Sequence, residues 1–131
     1  MSTGRISGFD FLSTQQEMLP LVVTSICFVI PGVINLRRGR RVRGVVDCGM
    51  ALVSANHWRD PRPGWRYNLD RVCAVSTAVV HGVQPNPNAN MGILIFSSWL
   101  KSWNAHLTGG DFRPWHVCFH VITCVGMLTG E

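Results

Sequence analysis

The apolar residues of this chain fall in blocks separated by short polar connectors. The stretch "MLPLVVTSICFVIPGVINL" (18–36) runs nineteen residues without a charge, close to the roughly 20 that cross about 30 Å of hydrocarbon as a helix. Shorter apolar blocks follow at 44–58, 70–84 and 91–103, and a last uncharged one closes the chain at 114–130. The pattern predicts an all-α, polytopic integral membrane protein of about five short transmembrane helices. These form a single membrane-embedded domain over 1–131, with a polar N-terminal segment at 1–17.

The breaks are written in proline and glycine. "QPNPNAN" (84–90) cannot continue a helix and predicts a turn between the third and fourth spans. Pro31-Gly32 should kink the first span, and "TGGDFRP" (108–114) separates the fourth from the fifth. Pro114 suits a first helical turn.

Composition sharpens this picture. The chain has 131 residues, enough for one domain, and is 47% hydrophobic but only 15% charged. A soluble domain carries about a quarter charged residues, so the deficit points to lipid. A soluble bundle with apolar core helices is the competing reading, because runs of about 10–14 apolar residues are common in cores. Charge placement argues against it: seven of the twelve basic residues lie in two connectors, "RRGRRVR" and "RDPR", as loops flanking membrane helices do.

The net charge of +5 does not point to nucleic acid, since no polar helix face or DNA-reading motif accompanies it. Phospholipid headgroups are the better partner. The five cysteines lie within apolar blocks without CxxC spacing and read as small buried hydrophobes. Residues 1–17 lack the apolar core and cleavage site of a secretory signal.

Alternating spans bring His57, Asp70, His106, His116 and His120 toward one membrane face and leave His81 toward the other. His116 and His120, four apart, share a helix face, as do Ser54 and His57 at a spacing of three. Three histidines are enough for a zinc site with an open position, and Asp70 could orient the metal-bound water.

This set, "SANH", Asp70 and "HVCFH", resembles the pattern of the alkaline ceramidase and adiponectin-receptor superfamily of membrane hydrolases. The resemblance implies zinc on His57, His116 and His120, catalytic roles for Asp70 and Ser54, and cleavage of a lipid amide. The chain departs from that family in its serine-to-histidine spacing, three where the family has four, and in five spans where the family has seven.

Two other readings of the histidines stand beside it. His116 and His120 could hydrogen-bond within the membrane interface, or His57, His81, His116 or His120 could be an axial ligand to haem or chlorophyll, His81 being the candidate cofactor ligand away from the cluster. The tryptophans at 58, 65, 99, 103 and 115 all fall near one face, as an interfacial aromatic belt would. In the hairpin "HWRDPRPGWRYNLD", Arg59, Arg62, Trp65 and Arg66 are candidate contacts to lipid headgroups or a partner. Asp47 is the one acid within an apolar block and should pair with an arginine such as Arg43 or lie near the interface.

The reading that follows is a small accessory subunit. It sits beside other membrane protein subunits of a larger complex, such as a respiratory, ATP synthase or photosystem assembly in an organellar inner or thylakoid membrane. A zinc-dependent lipid amidase and a haem- or chlorophyll-binding subunit are the alternatives.

Overall fold

The computed structural model describes residues 15–84 and 86–129. All regular structure among them is helical: α1 (Gln15–Ile26), α2 (Val29–Arg37), α3 (Arg41–Trp58), α4 (Trp65–Gly82), α5 (Ala89–Leu107) and α6 (Arg113–Met127). Most of the polar segment expected at 1–17 lies outside the described residues.

The first two helices are halves of one rod over Met18–Arg37, so the chain makes five rods. The break between them follows from Pro31, which has no N–H to give to the Cys27 carbonyl four residues back. That carbonyl accepts from Ile30 N instead, at 3.0 Å, and the helix tightens for a turn at residues 27–28 before resuming. Some helices start before or run past their apolar blocks, while α6 ends at Met127, inside its own. α4 begins at Trp65 and α5 extends to Leu107, because amphipathic flanking turns remain helical after hydrophobicity fades. Asn88 starts α5 by accepting a hydrogen bond from Met91 N at 3.2 Å. Pro114 sits in the first turn of α6.

Helix α3 packs on α1, α2 and α4, while α6 packs on α1, α2 and α5. The packing order is α4, α3, α1/α2, α6, α5, and this row bends so that its two outer rods meet at the tryptophan end, where Arg71 of α4 lies 5.8 Å from the Trp103 ring of α5. Chain direction alternates, which defines two ends. The tryptophan end collects the start of α1, the end of α3, the start of α4, the end of α5 and the start of α6. The arginine end holds the α2–α3 corner and the opposite termini.

Close approach of α2 and α3 depends on two glycines. A Cβ on Gly32 would stand 2.5 Å from Cys48 Sγ and 3.2 Å from the Gly44 carbonyl, and one on Gly44 would run into the Leu36 side chain. Small residues of this kind let helix backbones meet.

The radial distribution is inverted relative to a soluble protein. Among the described residues, ten polar or charged side chains are buried against eight apolar ones. Outward faces meanwhile carry Leu52 (72% exposed), Val72, Val75, Val83, Ile93 and Phe96. The apolar core that remains is two small clusters. Met18, Leu21, Trp58 and Phe112 pack together at the tryptophan end, and Phe28, Met50, Ala51 and Met127 pack deeper.

Two expectations need correction. Trp58 is not in an interfacial belt but is buried against Phe112 and His116. None of the five cysteines is fully buried, and Cys118 is exposed.

Candidate functional site

Two girdles of buried polar side chains, one near each end, tie the rods together. At the tryptophan end, α1 supplies Thr24 and Ser25, one helical step apart. The Ser25 hydroxyl lies 3.0 Å from that of Ser54 on α3, and the Asp70 carboxyl on α4 stands beside Ser54. Thr24 donates to the Pro20 carbonyl at 2.9 Å and is 2.9 Å from His120 Nδ1 on α6. With the Thr24 proton on that carbonyl, the Nδ1–H of His120 is the donor in the second bond. His116, one turn earlier on α6, meets Ser102 on α5 through Nδ1 at 2.9 Å. Side-chain hydrogen bonds at this level thus join α3 to α1, α1 to α6 and α6 to α5.

Sequence reasoning named Ser54, His57, Asp70, His116 and His120, and the fold places all five at this end. Ser54, His57, Asp70 and His120 are buried, and His116 is half-buried. The imidazoles of His116 and His120 are 4.7 Å apart at their centroids. His57 packs on Tyr67 and on Trp58, and the Trp58 indole lies 4.7 Å from each of His57 and His116 and 6.3 Å from His120. The tryptophan therefore stands among the three histidines. Three histidines and a carboxylate are donors that suit zinc, yet among the described residues no group of three or more His, Cys, Asp or Glu is arranged to hold a metal ion. Two atoms of the cluster, His57 Nδ1 and Asp70 Oδ1, are buried without a hydrogen-bond partner.

Thr24, Ser25 and Ser102 were not singled out from sequence. The signal was present: each is a hydroxyl side chain inside an apolar span, the residue type that joins helices in lipid.

At the arginine end the same job falls to a carboxylate. Asp47 on α3 is fully buried and bonded on both oxygens, to Asn35 Nδ2 on α2 at 3.0 Å and to His81 Nε2 on α4 at 2.7 Å. Asn35 Nδ2 also donates to the Met127 carbonyl at the end of α6, at 3.1 Å. Asp47 was expected to lie near the interface or to pair with an arginine such as Arg43; its partners are Asn35 and His81, and Arg43 reaches Gln84, which donates to the Thr129 carbonyl at 3.4 Å. His81, the candidate cofactor ligand, has its Nε2 committed to Asp47, and its Nδ1 is buried without a partner.

The candidate headgroup contacts of the α3–α4 hairpin are held within the chain. Arg62 pairs with Asp60 at 2.8 Å, Arg59 with the Asn56 side chain at 2.8 Å, and Arg66 with the carbonyls of Asp60 and Asn56. Trp65 is 69% exposed and free to meet an interface or another chain. Comparison of the chain with family models, curated proteins and solved structures finds no match.

Proposed function

We propose that this chain is a polytopic integral membrane protein that serves as an accessory subunit, packed laterally into a larger membrane assembly. The observation that carries the proposal is the inverted distribution: serines, asparagine, aspartates and histidines inside, valines, leucines and isoleucines outside. Water would reverse that pattern. Lipid favours it, because apolar faces gain nothing from leaving hydrocarbon, and hydrogen bonds with close packing do the joining instead.

By length and apolarity, one helical stretch among the described residues is a candidate span, Met18–Arg37. Of the later helices, α3, α4 and α5 carry charged residues and come close to membrane length. Eighteen residues, as in α3 and α4, rise about 27 Å against a hydrocarbon thickness of about 30 Å. The fifteen residues of α6 are shorter still. Thinning of the bilayer or a neighbouring chain accommodates such a span.

The row arrangement supports a lateral partner. The outer rods expose Val72, Val75 and Val79 on α4 and Ile93, Leu94, Phe96 and Leu100 on α5. Interhelical hydrogen bonds account for Thr24, Ser25, Ser54, Ser102, His116 and His120 of the polar cluster at the tryptophan end, and leave His57 Nδ1 and Asp70 Oδ1 without a partner.

A second reading, a lipid amide hydrolase, is favoured by the gathering of Ser54, His57, Asp70, His116 and His120 at one end. Purification in mild detergent separates the two. A fixed set of larger membrane partners, with no stoichiometric zinc, is the expected result. A monodisperse chain carrying one zinc and releasing fatty acid from an N-acyl lipid would replace the subunit reading with the hydrolase.

A further inference from the structure

The basic residues of the two ends differ in what they touch. At the tryptophan end, Arg62 and Arg113 pair with Asp60 and Asp111. Arg59 and Arg66 bond the hairpin, Arg71 lies over the Tyr67 ring, and Lys101 lies over Trp115. At the arginine end, the side chains of Arg37, Arg38, Arg40 and Arg41 have no hydrogen-bond or ion-pair partner among the described residues. Of the four acidic side chains described, three are at the tryptophan end, and the fourth, Asp47, is taken by His81 and Asn35.

Backbone geometry compounds this. The α2–α3 corner turns on Gly39, whose φ of +77° few side chains tolerate. It delivers Arg40 and Arg41 directly to the start of α3. That helix has no side-chain cap and no acid in its first turn, so its first amides lack the usual acceptor and its positive dipole end faces more positive charge. Arg37 and Arg38, at the C-terminal end of α2, are well placed for that helix, but Arg40 and Arg41 are not well placed for α3. The Nη1 of Arg40 is buried with no partner. Repelling guanidinium groups, an uncapped helix start and an orphaned buried donor all lack the same thing, an anion with several acceptor oxygens.

We infer that the corner formed by Arg37, Arg38, Arg40, Arg41 and the start of α3 binds the phosphate headgroup of an anionic phospholipid. The planar guanidinium forks suit phosphate oxygens, and the corner lies at the end of the α2–α3 pair, at headgroup depth if those helices cross the bilayer. This end then faces the more anionic leaflet. The tryptophan end, with its basic groups already engaged, has no comparable site.

The inference rests on the membrane reading for where the headgroup sits, and the test separates the two. Thermal unfolding of the full chain in maltoside micelles is followed with added phosphatidylglycerol, phosphatidylcholine or inorganic phosphate. Phosphatidylglycerol should raise the midpoint and phosphatidylcholine should not. Arg41→Gln should raise the half-saturating lipid concentration about fivefold, and removal of all four arginines about several hundredfold, as follows from the attraction per basic residue near an anionic surface. Arg59→Gln/Arg62→Gln should leave it unchanged. If the fourfold variant does not fold, the single Arg41→Gln variant carries the test.

Equal response to both lipids, or equal loss in the hairpin variant, overturns the site. A rise reproduced by inorganic phosphate alone assigns the corner to free phosphate and overturns the lipid. Alkaline carbonate extraction of membranes tests the spans independently. A chain that is stripped yet remains selective for phosphatidylglycerol overturns the spans and keeps the corner. A chain that resists extraction without selectivity does the reverse.

Discussion

At the tryptophan end the rods are joined through neutral groups, hydroxyls meeting imidazoles and one another, with a carboxyl only at the edge on α4. At the arginine end they are joined through a fully buried carboxylate that holds α2 and α4 to α3 at once. The difference lies in how much one atom carries. A hydroxyl bond can be lost while the helices stay packed around Trp58 and Phe112. Loss of Asp47 leaves His81 Nε2 without its partner and Asn35 Nδ2 with the Met127 carbonyl alone.

The comparison is broken most directly at Asp47. Asp47→Ala should lower unfolding stability in detergent by about 3 kcal/mol, the scale of breaking a buried pair by removing one partner. Asp47→Asn, which keeps an acceptor for one neighbour, should cost less. A chain indifferent to Asp47→Ala would show that the two ends are not distinguished in this way. Next in size is Gly44→Leu, which pushes α2 from α3 at the arginine end; overpacking of this kind costs about 1–3 kcal/mol, read by the same unfolding measurement.

At the tryptophan end the effects should be smaller. Thr24→Val removes the hydroxyl that meets His120 Nδ1 and should cost about 1 kcal/mol, the modest value of interhelical bonds in lipid. A loss as large as that of Asp47→Ala would mean that His120 does more than join helices and would favour the hydrolase reading.

How much of this was legible in the sequence follows from the kind of signal each part leaves. The helical class could be read from uninterrupted apolar blocks, and the break near Pro31 from the missing N–H, although the tightened turn falls at Cys27 and Phe28 because the damage is to the carbonyl four residues back. The grouping of His57, Asp70, His116 and His120 followed from alternating direction alone. Their partners did not. Ser25 and Ser102 are ordinary residues until α1 and α5 are placed beside α3 and α6, and no local pattern tells Asp47 to choose His81, thirty-four positions away, over Arg43, four away. Trp58 was assigned to an interface because tryptophans near span ends usually sit there; it is buried because Phe112 and His116 supply a pocket across the bundle.

The smallest expected effect lies in the α5–α6 loop. The Arg113 guanidinium, with its backbone N–H, holds the Asp111 carboxyl below the usual carboxylate range. Its folded-state pKa is depressed, so the stability it adds is present above the ordinary carboxylate pKa and is lost as pH falls through the lowered one. Asp111 is solvent-exposed, so Asp111→Asn should change stability at neutral pH by no more than the ~0–1 kcal/mol of surface pairs and should remove that acid dependence. An unchanged acid limb would place its origin elsewhere.

The claim that joins these points is that the two ends face opposite sides of a bilayer. With Cys27, Cys48, Cys73, Cys118 and Cys124 replaced, single cysteines at positions 40 and 62 can be labelled in sealed vesicles with a membrane-impermeant maleimide. The account predicts that the two positions label from opposite sides, with a cysteine at position 86 labelling from the same side as position 40. Labelling of positions 40 and 62 from the same side would contradict it.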